Sequence, residues 1–166
     1  MNFQTVIDLI KDLSTSLSVP IYRAEQKFDK PQVIFGTYKV LVKNNGVYSD
    51  FKELEIEDPT KYQREFSRIE NFSISLSFIG NDIKDLYPLA DLAMDYLNVS
   101  SRDKKQELGI KVDINGDVED RTVFLDNIYE YKVGFDFNII GIGKLQETLD
   151  AVDMDATISG VSLSIE

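Results

Sequence analysis

The 166 residues of this chain include no cysteine and no histidine. Without cysteine there is no disulfide framework and no thiolate for nucleophilic or metal chemistry. Without histidine there is no imidazole base, no histidine-containing triad and no imidazole metal ligand. Long apolar runs are also missing, since no segment approaches the roughly 20 apolar residues of a membrane helix. These absences favour a protein with no catalytic residues, no cofactor, no metal site and no membrane partner.

Basic residues are few relative to acidic ones. The chain has 18 lysines and arginines against 29 aspartates and glutamates, which gives a formal net charge of −11. This charge repels a polyanion, so direct readout of nucleic acid is not expected. The excess of acid serves solubility. It also suits a surface that attracts a basic partner or lines a passage through which DNA slides without sticking.

Two short sequence patterns resemble known binding motifs, but the spacing of their residues differs from that of the motifs. Gly141 and Gly143 follow a strand, but no third glycine opens a helix, so they form no phosphate loop. The segment Asp113–Asp120 alternates acidic and amide side chains as a calcium loop does, yet its glycine stands fourth instead of sixth. Carboxylate pairs arise by chance in so acidic a chain, and an enzyme that uses carboxylates alone remains an alternative.

Apolar residues recur at helical spacing in two segments. The first covers about residues 2–16, and Pro20 ends its pattern. The second runs from Asp82 to Asn98, after Gly80-Asn81-Asp82 has ended a strand and offered an N-cap. Residues 99–107 are polar and predict a linker or a short extra turn.

Strict alternation of apolar and polar residues predicts the strands. It is clearest in residues 71–80, where serines separate Phe72, Ile74, Leu76 and Phe78. Such alternation is typical of a strand with one face on a core. Alternation, or enrichment in β-branched and aromatic residues, predicts further strands at 32–43, 110–114, 131–139 and 161–165.

The region 43–66 is predicted to be a hairpin arm. Asn45-Gly46 is a tight-turn signal because both residues tolerate positive φ, and a weaker strand follows over residues 47–56. The next strand runs from Tyr62 into residues 72–78, and a strand of that length usually projects beyond its domain. A mobile surface loop is the alternative interpretation.

The order of these elements predicts an α+β fold. It consists of a mostly antiparallel β-sheet with two α-helices packed on one face, plus a protruding β-hairpin arm. The length fits a single domain over residues 1–166. Not all of the aromatic residues fit a small core, so some are expected at an interface. Those considered are Tyr22, Tyr38, Tyr48, Phe51, Tyr62 and Tyr129.

Several segments carry a family resemblance by their order and spacing. The opening helix is followed by the linker Val19–Lys27 and by the proline-led strand Lys30–Tyr38. Tyr62–Ser67 and Phe72–Gly80 then match a long strand that enters a second helix, and Val123–Ile139 matches a late strand. Together these segments resemble the bacteriophage tail terminator proteins, also called neck terminator or tail completion proteins.

The resemblance implies assembly rather than catalysis, so the chain is not expected to be an enzyme. It implies a homo-oligomeric ring, typically a hexamer, that caps the head-proximal end of the tail tube and stops tube polymerisation. The implied partners are the tail tube protein, a tail sheath protein if the tail is contractile, and a neck or head-completion protein. DNA would pass through the lumen without specific binding. The implied location is the virion neck, after assembly in the host cytoplasm.

Within such a ring, the arm and the terminal strand 158–166 are the expected contacts between neighbours, since a free terminal strand can add to another sheet's edge. The interface candidates are Tyr48, Phe51, Tyr62, Val161, Leu163 and Ile165. Two alternatives stay open. One is another phage neck or tail component, such as a tail-to-head joining protein or a tube subunit. The other is a small acidic inhibitor of a host protein.

Overall fold

The computed structural model describes residues 1–27, 29, 31, 33–48, 50–54, 61–125 and 128–150. The helical elements in these ranges are α1 (Phe3–Leu17), α2 (Ile83–Asp95), a π-helical turn (Tyr96–Ser100) and α3 (Arg102–Leu108). The strands are β1 (Ile21–Arg23), β2 (Phe35–Asn45), β3 (Asp50–Leu54), β4 (Lys61–Gly80), β5 (Ile110–Asp120), β6 (Val123–Leu125) and β7 (Ile128–Asp150). The α+β class is confirmed.

The main sheet is mixed and mostly antiparallel. Its strand order is β1-β2-β4-β7-β5, with β3 paired to β4 and β6 paired to β7 off this path. The short β1 is parallel to β2, whereas β2 and β4, and likewise β5 and β7, are antiparallel. Ser73 lies beside Asn138 and Leu76 beside Gly134. Residue numbers therefore increase along β4 in the direction in which they decrease along β7, so this central pair of strands is antiparallel.

Both of the predicted helices begin at a side-chain cap. The side chain of Asn2 accepts from the backbone N–H of Thr5 at 3.1 Å, and that of Asp82 accepts from Lys84 at 2.9 Å. Each cap satisfies a backbone donor that has no partner within its helix. The helix predicted over residues 2–16 is therefore confirmed as α1, with its end at Leu17.

The core lies between one face of the sheet and the two longer helices. The alternate residues Phe72, Ile74, Leu76 and Phe78 of β4 are buried, as are Val133, Phe135, Phe137 and Ile139 of β7. They form one cluster with the apolar stripe of α1, which is Val6, Leu9, Ile10 and Leu13, and with Leu86, Ala90 and Ala93 of α2. Because side chains two apart share a face of a strand, both helices pack on the same side of the sheet, as predicted.

The polar segment 99–107 contains a third helix. The π-helical turn and α3 occupy it, and the Lys105 ammonium donates to the carbonyls of Leu97 at 2.7 Å and Asn98 at 3.0 Å. A cation at this position satisfies carbonyls that the helix end leaves without partners. Desolvation lowers the pKa of Lys105.

Asn45-Gly46 is not the tight turn that the sequence predicts. β2 and β3 both pair with β4, over Phe35–Asn45 and Asp50–Leu54, and the N–H of Gly46 donates to the carbonyl of Ile69 at 2.8 Å. Both strands are antiparallel to β4, so they run in the same direction along it. The 20-residue β4 is long enough to pair with each of them in turn, and this pairing overrides the local turn signal.

The described chain divides into two compact units. One comprises Met1–Val47 and Arg68–Gly143, and the other comprises Tyr48–Ser67 and the chain from Lys144 onwards. β4 and β7 each contribute residues to both units. The interpretation of residues 1–166 as one domain stays a prediction.

A buried carboxylate lies in the first unit at the end of the core-facing row of β4. Glu70 is 3% exposed, its Oε2 faces the Met1 ammonium at 2.9 Å, and Arg68 donates to its Oε1 at 2.8 Å. A Cβ on Gly143 would lie 2.5 Å from this carboxyl group, so glycine provides the space. Burial by itself raises the pKa of Glu70, but the Met1 ammonium and Arg68 outweigh it and hold the pKa below its ordinary value of 4.5.

Glu70→Gln should lower the free energy of unfolding at pH 7 by about 3 kcal/mol, because breaking a buried ion pair leaves the partner charge uncompensated. The folded-state pKa is depressed, so the contribution of Glu70 is present above pH 4.5 and is lost as pH falls through the folded-state value. Urea titrations at decreasing pH should therefore show the gap between wild type and variant closing. Glu53→Gln, at a carboxylate 64% exposed, is the matched control. A gap that stays constant with pH would contradict this assignment.

Candidate assembly surfaces

The second unit contains the paired part of the predicted arm. β3 is antiparallel to the start of β4, from Asp50 opposite Ser67 to Leu54 opposite Gln63. The hairpin predicted within residues 43–66 is thus confirmed in its pairing for residues 50–67. Residues 43–45 belong instead to β2 and pair with β4 in the first unit. The protrusion of the arm stays a prediction.

The end of β7 belongs to the same unit and is bound to β4 by side chains. The ammonium of Lys144 lies 2.8 Å from Oε1 of Glu65, and Gln146 donates to Oε2 of Glu65 at 3.1 Å. These hydrogen bonds, first from Lys144 and then from Gln146, hold the pKa of Glu65 below its ordinary value. The link between the two strands therefore persists in mild acid.

The interface candidates of the arm are partly engaged within their own unit. Tyr48 is half-buried, and its ring meets the ring of Phe66 edge-on at 6.2 Å between centroids. Tyr62 is half-buried beneath the Arg64 guanidinium, 4.9 Å from the ring centroid. Phe51 lies opposite Phe66 in the strand pairing, and its side chain is outside the described part of the structure. These three candidates therefore belong to one small unit.

The other interface candidates lie outside the described residues. They are Val161, Leu163 and Ile165, together with the rest of the terminal strand predicted over 158–166. Their assignment to a subunit contact stays a prediction.

The serines of β4 lie on the sheet face that points away from the helices. Ser73 donates to Oδ1 of Asn138 at 2.7 Å. Arg121, in the connection between β5 and β6, donates to Oγ of Ser75 at 2.7 Å and to Asp136 at 2.9 Å. The alternating serines therefore bind an amide and an arginine of this chain.

A polar groove of about 280 Å³ lies where α1 meets Lys104. Its lining residues are Asp8, Lys11, Asp12, Thr15 and Lys104. The phenol of Tyr96 donates to Asp12, and the ammonium of Lys104 pairs with Glu107 at 2.9 Å. Desolvation, followed by the contact with Asp12, raises the pKa of Tyr96. Asp12 thus joins α1 to the π-helical turn, whereas the pair of Lys104 and Glu107 lies within α3.

Sequence reasoning missed most of an exposed aromatic cluster on the β6–β7 hairpin, which we call the aromatic ladder: Phe124, Tyr129 and Tyr131. Phe124 is 58% exposed and Tyr129 is 60% exposed, with their ring centroids 4.8 Å apart. The rings of Tyr129 and Tyr131 stack at 6.2 Å with 15° between their planes. Tyr129 is one of the six aromatics of which some are expected at an interface, whereas Tyr38 of that set is buried. The signal that the sequence offered for this cluster was the placement of Phe124, Tyr129 and Tyr131 on two adjacent strands.

The described residues include exposed surfaces that are available for contacts. Within these ranges, no three acidic side chains converge in a way that could hold a metal ion. None of the described helices is long and apolar enough to cross a membrane. A mixed sheet with a small strand unit and an exposed aromatic cluster offers surfaces through which a protein can contact other chains.

Comparison with known families identifies which such protein this is. The family of phage neck terminator proteins matches residues 4–161. This match spans nearly the whole chain, so the chain belongs to the phage neck terminator family. None of the curated proteins matches the sequence. The predicted resemblance is confirmed, and the chain is a structural protein of the phage neck and hence of the virion.

Proposed function

We propose that copies of this chain form a closed ring of six subunits at the head-proximal end of the phage tail tube. The ring stops tube polymerisation and provides the surface that joins the neck or head. Its partners are the tail tube protein, a sheath protein if the tail is contractile, and a neck or head-completion protein. No catalytic step is part of this function.

The family match over residues 4–161 is the observation that carries the proposal. The second unit supports it by its construction. β3 pairs with β4, and Lys144 and Gln146 bind β7 to β4 through Glu65. A small unit held by its own contacts is suited to meet a neighbouring copy. A head-to-tail contact repeated with a closing rotation gives a ring rather than a filament.

The charge of the chain supports a lumen through which DNA moves. With 29 acidic and 18 basic residues, the chain repels the phosphate backbone. A ring that bound DNA by its phosphates would retard DNA passage, whereas an acidic surface leaves it mobile.

Electron microscopy and light scattering of the purified protein with isolated tail tubes test this function. We expect single rings at one end of the tubes and no further tube growth after they bind. Virus lacking the gene should produce tails of uncontrolled length that do not join filled heads. Long tubes formed by this protein alone would indicate a tube subunit, and uniform joined tails in the deletion virus would refute a terminator.

Deletion of residues 47–58 should weaken ring closure while leaving the first unit folded. The deleted segment includes β3, whereas the buried cluster is built from α1, α2, the π-helical turn, β2, β4 and β7. We expect cooperative thermal unfolding to be kept and the ring mass to disappear in light scattering.

The matched control for the deletion is the double variant Tyr48→Ser/Tyr62→Ser, which keeps the backbone of the hairpin. If backbone pairing of strands dominates the contact between subunits, this double variant should weaken ring formation less than the deletion does. A deletion variant without cooperative unfolding would show that residues 47–58 belong to the folding core.

A further inference from the structure

One apolar row on β7 continues beyond the helices that cover it. Its buried members are Val133, Phe135, Phe137 and Ile139. Tyr131, next in the row, is half-buried against the same cluster, and Tyr129 is 60% exposed. Residues two apart share a face of a strand, so all of these side chains lie in one row. The row therefore extends beyond the buried core, and the residues at its exposed end are aromatic.

The strand pairing widens this exposed end into a surface. Phe124 lies directly opposite Tyr129, and cross-strand partners share a face. The aromatic ladder thus extends the face on which α1 and α2 pack, past the part that these helices bury. Exposed contiguous aromatics of this kind mark contact sites, because tyrosine and phenylalanine supply large contact areas at low entropic cost.

The segment of the sequence that carries the aromatic ladder is acidic. Residues 117–132 include five acidic and two basic side chains. Of the two basic ones, Arg121 is paired with Glu119 at 3.2 Å and with Asp136 at 2.9 Å. The exposed Asp120 lies opposite Val133 and so shares the face of the ladder. Hydrogen bonds from Thr122 lower the pKa of Asp120, which keeps this carboxylate ionised.

Charge complementarity indicates which kind of partner binds the aromatic ladder. A second copy that docked by the same face would set Asp120 against its own counterpart, and like charges across a contact repel each other. Aromatic ring faces attract lysine and arginine, and carboxylates beside them strengthen the attraction. We propose that the aromatic ladder is a docking surface for a lysine- or arginine-bearing apolar segment of a second virion protein. This contact is separate from ring closure by the second unit.

Photo-cross-linking tests the proposal in assembled virus. The photoreactive residue p-benzoylphenylalanine replaces Phe124 in the full chain, which complements a virus lacking the gene. After irradiation we expect one product with a different virion protein, joined through a peptide that contains lysine or arginine. Ile142, 62% exposed on the opposite face of β7, is the matched control position and should not give that product.

Every other result overturns the proposal. A product with another copy of this chain would make the ladder part of the ring contact. A product with a peptide lacking basic residues, or no product at position 124, would remove the docking surface altogether. These outcomes are distinct from failure of the proposed function, which tail length and head joining report.

A binding measurement completes the test. The cross-linked peptide, synthesised, is titrated against wild type and Phe124→Ser/Tyr129→Ser. We expect the double variant to keep the wild-type melting temperature and to bind about 30-fold more weakly, as for loss of a hot-spot aromatic pair. Affinity should fall with salt because the contact is charge-assisted. Unchanged affinity in the double variant, or affinity independent of salt, would refute the assignment.

Discussion

Phe135→Asp should destabilise the protein by at least about 5 kcal/mol, which is comparable with the whole stability of many domains. Phe135 is completely buried on β7, in the cluster formed with β4, α1 and α2. The change removes an aromatic ring from this cluster and places an unpaired carboxylate there, and each effect is costly by itself. Urea unfolding followed by circular dichroism should show loss of the cooperative transition at pH 7.

Two matched variants separate the causes of this loss. Phe135→Asn creates a similar cavity without the charge, so it should be less destabilising than Phe135→Asp at pH 7. Ile142→Asp places the same charge on the same strand at a position 62% exposed, and should change stability little. Near-wild-type unfolding of Phe135→Asp would mean that the core lies on the other face of β7.

Gly134→Ala should be the second most damaging change, with a cost of about 3 kcal/mol or more. A Cβ at Gly134 would lie 2.1 Å from the carbonyl oxygen of Leu76 and 2.8 Å from Cα of Ser77. Both are backbone atoms of the neighbouring β4, so relief requires the two central strands to separate. Overpacking of a well-packed site typically costs about 1–3 kcal/mol, and a backbone obstacle belongs at the upper end.

Gly109→Ala is the control for this second prediction. Gly109 has φ +63 and nothing within 4 Å of a built Cβ, so alanine there meets conformational strain without a clash. That strain costs roughly 1 kcal/mol. The melting temperature of Gly134→Ala should therefore be clearly lower than that of Gly109→Ala. Equal or reversed values would show that β4 and β7 do not approach so closely.

Local patterns predicted the elements that carry the core. The alternation from Phe72 to Phe78 and the row from Tyr131 to Ile139 became β4 and β7, and the apolar stripe of the first 17 residues became α1. Each pattern depends on the period of a strand or helix, which is a property of the neighbouring residues alone. The cap at Asp82 was likewise predicted from the sequence, because an N-cap acts on the turn that follows it, whereas the cap at Asn2 was found in the structure.

Turn signals were less reliable because distant strands competed with them. Asn45-Gly46 lies between two strands that both pair with β4. The dipeptide Asn-Gly commonly forms a tight turn. Asn115-Gly116 nevertheless makes no hairpin, since β5 continues through it with an irregular register against β7, and Gly116 at φ +86 accommodates that irregularity. Glycine permits positive φ, but the pairing partner determines whether the chain reverses there.

The amino-acid sequence by itself determined the α+β class, the apolar rows of β4 and β7, and membership of the neck terminator family. These follow from short-range periodicity and from the order of segments along the chain. The tertiary structure alone decided that β2 and β3 both pair with β4, that Arg121 binds Ser75, and that the aromatic ladder extends past its helices. Each of these features depends on which residues distant in sequence come into contact. The same local sequence pattern is compatible with several such pairings.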